Sequence, residues 1–154
     1  FRLTGHRVGA VVTSTQRMQE IEKFLDTSTI CPNQIGQHAA LFGLKKLSYW
    51  VQEQRLDLLK RRESLERGFE DLESDGWVLR GLGAYFAYLE YPFTISSREL
   101  SKRLLEEKGV LTVPGALFSN KTEAAANRFL RVAFANISLD DIQILFQRLK
   151  SFKL

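Results

Sequence analysis

The sequence predicts an α/β fold in which a short strand and a run of helices come first and a sheet follows. Three observations predict it. Apolar residues recur with helical spacing from Thr15 to Glu73, the spacing drops to two after Gly76, and Ser96 and Ser138 stand as helix caps ahead of new apolar runs. The second half is therefore expected to be a compact layer of antiparallel pairs with helices packed against them.

In chain order, Val8 to Val12 follows Gly5 as a short β-prone run and predicts a strand. Helical spacing begins at Thr15, with Met18, Ile21, Phe24 and Leu25 on one side, and stalls at Thr27-Ser28-Thr29-Ile30-Cys31-Pro32. Asn33 is placed to cap a second helix whose apolar positions are Ile35, Ala39, Leu41, Phe42 and Leu44. Leu47 to Glu73 contains no proline, has its only glycine at Gly68, and carries Val51, Leu58, Leu65 and Leu72 at every seventh position, with Phe69 beside them. A helix of that length reaches roughly 40 Å, more than a small domain needs for itself, so a connector is expected. A coiled-coil partner helix competes, but the run holds barely three heptads.

Beyond Ser74-Asp75-Gly76, strands are expected at Trp77 to Arg80 and at Ala84 to Tyr91, joined by a Gly81-Leu82-Gly83 turn. Ser96 with Glu99 reads as a capping box for a helix whose face carries Leu100, Leu104 and Leu105 and which ends at Lys108-Gly109. Val110 to Val113 is a further short strand, closed by Pro114-Gly115, and Ser119 to Asn127 is a polar loop. Phe129 to Ala135 alternates as a strand, and Ser138 then caps a last helix with Leu139, Ile142, Leu145, Phe146, Leu149 and Phe152 facing inward.

Composition narrows the function. The chain has 154 residues, 44% of them hydrophobic, enough for one domain with a core or for a piece of a larger one. Its 22 basic residues are scattered among 18 acidic ones for a net charge of +4, so no basic stripe points to nucleic acid. No apolar run is long enough to span a bilayer and no leader is visible, so a soluble, cytoplasmic protein without a membrane partner is expected. Cys31 is the only cysteine, which excludes an intrachain disulfide and suits a reducing compartment; its ordinary reading is a structural, half-buried thiol. Two histidines, His6 and His38, and one cysteine make no metal-ligand cluster. The serines lack a G-x-S-x-G setting and there is no P-loop.

Two arginines stand out. Arg7, in Gly5-His6-Arg7-Val8-Gly9, has glycines on either side that let a ligand approach the backbone, and its fork suits a phosphate; the alternative is a solvated arginine at a strand start. Arg131, in Phe129-Leu130-Arg131-Val132-Ala133-Phe134-Ala135, is a cation inside an apolar strand and calls for an anionic partner. Its alternatives are a structural ion pair or the exposed face of an edge strand.

G-x-R-x-G leading into Val8, the Gly83-Ala84-Tyr85-Phe86 stretch, Pro114-Gly115-Ala116-Leu117-Phe118, and Arg131-Val132-Ala133-Phe134-Ala135 before a closing amphipathic helix resemble, in this order, the C-terminal half of class I/II aminotransferases. These are fold-type I enzymes that use pyridoxal phosphate. The resemblance implies the tail of the large cofactor-binding domain at 1–46, an interdomain helix at 47–73 and the small α/β C-terminal domain at 74–154. It implies that Arg7 binds the cofactor phosphate and that Arg131 binds the substrate α-carboxylate, a planar fork suiting both anions. It also implies amino acid and 2-oxo acid substrates, a homodimer with Thr29 to Gln34 near its interface, and a small domain that carries Arg131 toward the cofactor on closure.

The family's cofactor-anchoring lysine lies in an S-x-x-K motif just ahead of G-x-R-x-G, so the chain is expected to begin after it. Lys23, Lys45 and Lys46 match no family position, and no catalytic residue is assigned in this chain. The expectation is thus a C-terminal portion of an aminotransferase, inactive alone. The same resemblance extends to aminotransferase-like ligand-sensing domains of transcription regulators, to a non-catalytic truncated paralogue and, within enzymes, to β-lyase chemistry on the same scaffold.

Overall fold

The structure, a computed structural model, describes residues 1–118 and 128–154. The expected polar loop at Ser119 to Asn127 lies outside the described residues. The chain falls into two compact units, Phe1–Arg55 and Leu56–Leu154.

The first unit opens with a 3₁₀ turn at Thr4–His6 and continues as extended chain to Ser14, without strand pairing. The strand expected at Val8 to Val12 is therefore not formed. A strand exists only through a neighbour's hydrogen bonds, and none of the described residues pairs with these; Val12 is 96% exposed. Helix α1 (Thr15–Ser28) and helix α2 (Gln34–Lys46) follow as expected. Asn33 caps α2 by accepting the Gly36 N–H at 2.6 Å. The apolar faces of both helices are open: Phe24, Ile35, Phe42 and Leu44 are all exposed. Packing within the unit is local, with the Phe1 ring against Gly43 and the Arg2 guanidinium 5.9 Å from the centre of the Trp50 ring.

Helix α3 (Ser48–Glu73) has 26 residues, so at 1.5 Å per residue it is about 39 Å long. Its heptad stripe is buried only toward the C-terminal end, where Leu65, Phe69 and Leu72 enter the core of the second unit. Val51 is exposed.

The second unit is a four-stranded antiparallel sheet in the order β1-β2-β4-β3, formed by β1 (Val78–Gly83), β2 (Phe86–Glu90), β3 (Val113–Pro114) and β4 (Phe129–Ala133). The hairpin turn is Ala84-Tyr85, not Gly81-Leu82-Gly83. Both glycines belong to β1, where Gly81 pairs with Tyr88 and Gly83 with Phe86. A bulge between Leu79 and Gly81 absorbs one residue and moves the turn along the chain, and Ala84 takes the left-handed conformation (φ 48°) that a two-residue hairpin loop favours. The strand expected over Val110 to Val113 shrinks to Val113–Pro114, because the Val110 N–H is taken by the Leu104 carbonyl at the end of the preceding helix and the Thr112 carbonyl by Ser101; Pro114, without an N–H, sits on the edge strand.

Helix α4 (Ser97–Lys108) starts at Ser96, whose hydroxyl accepts the Glu99 N–H, and ends at Gly109 (φ 62°). Leu100 and Leu104 are fully buried, whereas Leu105 faces solvent. Helix α5 (Leu139–Lys150) starts with a complete capping box between Ser138 and Asp141. It buries Ile142, Leu145, Phe146 and Leu149, and Phe152 beyond its end, while Leu139 is 45% exposed, correcting the expectation that it faces inward. These helices and the end of α3 cover one face of the sheet through Ala87, Leu89, Leu130 and Val132. Two polar ties fix the layer. Ser101 Oγ donates to the Thr112 carbonyl at 2.8 Å, and Arg61, paired with Asp57, donates to the Ala135 carbonyl just past β4.

Because Ala87, Leu89, Leu130 and Val132 point into the core, strand alternation sends Phe86, Tyr88, Glu90, Phe129 and Arg131 to the opposite face. That face carries the charges of Arg131 and Glu90 beside the rings of Phe86, Tyr88 and Phe129.

Candidate functional site

In the first unit, Arg7 is exposed and closes the 3₁₀ turn in the left-handed conformation (φ 50°, ψ 42°). Such a conformation is uncommon for a residue with a side chain and is kept only where its surroundings hold it. Two contacts hold it here. Arg7 Nη1 donates to the Thr4 carbonyl at 3.2 Å, folding the side chain over its own turn, and Asn33 Nδ2 donates to the carbonyl of His6. Asn33 thus works at both ends of its amide, capping α2 with its oxygen and clamping the Arg7 turn with its nitrogen. The backbone beside Arg7 is open, since a Cβ at Gly5 or at Gly9 would meet nothing within 4 Å.

In the second unit, Arg131 sits on β4, an inner strand, opposite Tyr88 on β2 and Val113 on β3. That register rules out the edge-strand alternative. Among the described residues no carboxylate pairs with it; Glu90, on the same face, is held by Arg80 at 2.7 Å and Arg128 at 3.6 Å. The structural ion pair is therefore absent among those residues. The Arg131 guanidinium lies instead 4.3 Å from the centre of the Phe86 ring and 4.5 Å from that of Phe118. Tyr88 stacks on Phe129 at 5.0 Å, and burial pushes its phenol above the ordinary value. Tyr91, on the core side, donates to the Ile95 carbonyl and is pushed up to about 12 by burial, with Arg128 pulling the other way.

The other candidates are ordinary. His38 is an exposed residue of α2, and His6 takes part through its backbone carbonyl. Lys23 pairs with Glu20 at 2.7 Å, and Lys45 and Lys46 occupy the last turn of α2, where cations suit the helix dipole. Cys31 is free and exposed, correcting the half-buried thiol: it lies in the polar connection between α1 and α2, away from any core. Among the described residues no cluster of His, Cys, Asp or Glu could hold a metal ion.

Sequence reasoning singled out both arginines and the Asn33 cap but not the second bond of Asn33, nor the rings around Arg131. Phe86 and Phe118 do close two of the quoted stretches, Gly83-Ala84-Tyr85-Phe86 and Pro114-Gly115-Ala116-Leu117-Phe118. Their convergence on one cation depends on sheet register.

Arg131 thus lies on the open face of an antiparallel sheet with no carboxylate paired to it among the described residues, and Arg7 lies in an exposed left-handed turn. The chain belongs to the aminotransferase class I and II family, whose sequence profile matches residues 1–149. It is 27% identical to an aspartate aminotransferase of Sulfurisphaera tokodaii, covering 99% of this chain and 38% of that protein. It is 29% identical to an aspartate aminotransferase of Thermotoga maritima, covering 97% of this chain and 36% of that protein. Among solved structures, a mutant of Thermus thermophilus aspartate aminotransferase superposes with a TM-score of 0.75 at 27% identity, covering 97% of this chain and 39% of that one. The architecture is accordingly part of the fold-type I aminotransferase fold. The chain spans less than two fifths of the length of these relatives.

Proposed function

We propose that this chain is the C-terminal portion of a pyridoxal-phosphate-dependent aminotransferase, which moves an amino group between an amino acid and a 2-oxo acid. The observation that carries the reading is Arg131, a cation on an inner strand with no carboxylate partner among the described residues, to which the family resemblance gives the substrate α-carboxylate. Arg7 is assigned the cofactor phosphate. The residues present suit that group: the turn is exposed, the backbone beside Gly5 and Gly9 is open, and the guanidinium spends one bond on Thr4 and keeps other N–H donors for phosphate oxygens.

When bound, pyridoxal phosphate supplies the electron sink on which this chemistry depends. Arg7 would fix one end of it by a charge-assisted fork. Arg131 would orient the amino acid by its carboxylate, so that the α-carbon is presented in one geometry. We assign residues 1–46 to the end of the large domain, 47–73 to the interdomain helix and 74–154 to the small domain; a chain of two compact units divided within α3 supports this. The open apolar faces of α1 and α2 support a first unit that is part of a larger body and a homodimer of the whole protein. The free, exposed Cys31 suits a reducing, cytoplasmic setting.

The test is intact mass of the full-length protein containing this chain, after borohydride reduction with pyridoxal phosphate. The expected result is a gain of one cofactor mass on a lysine outside these 154 residues, with no turnover by the 154 residues alone. No mass gain by the full-length protein contradicts the reading.

A further inference from the structure

We propose that Phe86 and Phe118 are positioning residues for Arg131, their rings holding the guanidinium in one orientation so that its N–H donors are offered to an incoming carboxylate. The inference rests on the assignment of Arg131 to substrate binding and adds what holds that arginine ready for its carboxylate.

The sheet register builds the arrangement. On the open face, β2 and β4 present three cross-strand rows: Phe86 opposite Ala133, Tyr88 opposite Arg131, and Glu90 opposite Phe129. Side chains in neighbouring rows reach each other diagonally. Tyr88 reaches one way, to stack on Phe129 at 5.0 Å, and Arg131 reaches the other way, to lie 4.3 Å from the centre of Phe86. Ala133, opposite Phe86, has only a methyl group and leaves that ring uncovered. Phe118, arriving from the segment after β3, adds a second ring 4.5 Å from the same guanidinium.

Charge on this face points the same way. Glu90, the carboxylate of the three rows, is taken up by Arg80 and Arg128, which leaves Arg131 to the rings. A ring attracts a cation through its face without occupying an N–H donor, so two rings restrain Arg131 while its hydrogen-bonding capacity stays available. An arginine already restrained loses less side-chain freedom when a carboxylate binds, and binds it more tightly for that reason. An ion pair would restrain it equally well but would use up the fork that the substrate needs.

The experiment uses the full-length protein loaded with its cofactor and measures equilibrium dissociation constants for four 2-oxo acids: 2-oxoglutarate, oxaloacetate, pyruvate and phenylpyruvate. The tightest is then followed through Phe86→Leu, Phe118→Leu, Phe86→Tyr and Arg131→Gln. Each leucine variant is expected to weaken binding about two- to fivefold, and Phe86→Tyr to restore it to within about twofold of the unsubstituted protein. In the Arg131→Gln background the leucine variants are expected to have no further effect, because the rings act through the arginine. If Arg131→Gln weakens binding but the leucine variants do not, or weaken it equally without the arginine, the positioning role is overturned and the substrate assignment stands. If Arg131→Gln has no effect, the assignment of Arg131 falls and the inference with it. Binding of none of the four acids overturns the proposed activity itself.

Discussion

Replacing Asn33 by alanine removes two bonds from one side chain, and the structure separates their effects. The oxygen accepts the Gly36 N–H at 2.6 Å as the cap of α2, and loss of such a cap costs about 1 kcal/mol. The nitrogen donates to the His6 carbonyl beside Arg7, and a net hydrogen bond of that kind contributes about 0.5–1.5 kcal/mol. Asn33→Ala should thus loosen the region by about 1.5–2.5 kcal/mol in all. Asn33→Asp keeps an acceptor for Gly36 and suits the positive end of the helix, while losing the donor to His6. Hydrogen exchange of the full-length protein reads the two sites separately, since local opening energies are resolved along the chain. Exchange in the first turn of α2 should quicken about fivefold or more in Asn33→Ala and stay near the original rate in Asn33→Asp. Exchange over residues 3–9 should quicken in both. If aspartate loosens the α2 turn as much as alanine does, or if alanine leaves residues 3–9 unchanged, the two-ended role of Asn33 is wrong.

Further outcomes follow from the second unit. At Gly68 an added methyl would sit 2.5 Å from two atoms of the Phe146 ring, itself packed edge-on against Phe69. The helix-propensity gain of Gly68→Ala is about 1 kcal/mol and the overpacking cost about 1–3 kcal/mol, so the variant should melt at a lower temperature; a higher melting temperature contradicts this packing. Bonds from the hydroxyl and N–H of Ser138 hold the Asp141 carboxyl below its usual range. Its folded value being the lower one, its stabilising contribution is complete above the ordinary carboxylate value and disappears as the pH falls through the folded value. Ser138→Ala should therefore reduce stability at neutral pH and flatten the acid limb of the stability profile, and an unchanged acid limb would show that the capping box does not set this carboxyl.

Where local chemistry decides the structure, the sequence was readable. Asn33, Ser96 and Ser138 cap the helices they precede, Gly109 ends α4 in a left-handed conformation, and the proline-free run to Glu73 is one helix. Features that depend on a partner elsewhere in the chain were not. Val8 to Val12 has strand composition but no pairing neighbour among the described residues, and Gly81-Leu82-Gly83 looks like a turn until a bulge shifts the hairpin by some residues. The site divides in the same way. Arg7 and Arg131 were conspicuous as cations in improbable surroundings, yet the rings around Arg131 and the second bond of Asn33 join residues 13 to 45 positions apart, which no local pattern encodes.

The central claim is that Arg7 anchors a phosphate of the cofactor, and it is tested most directly by comparing how the full-length protein binds pyridoxal 5′-phosphate and pyridoxal, with Arg7 present and in Arg7→Gln. Charge-assisted contacts to phosphate contribute about 1.5–3 kcal/mol, so the preference for the phosphorylated form should fall roughly tenfold or more in Arg7→Gln, with pyridoxal binding little changed. An undiminished preference for the phosphorylated form would contradict the account.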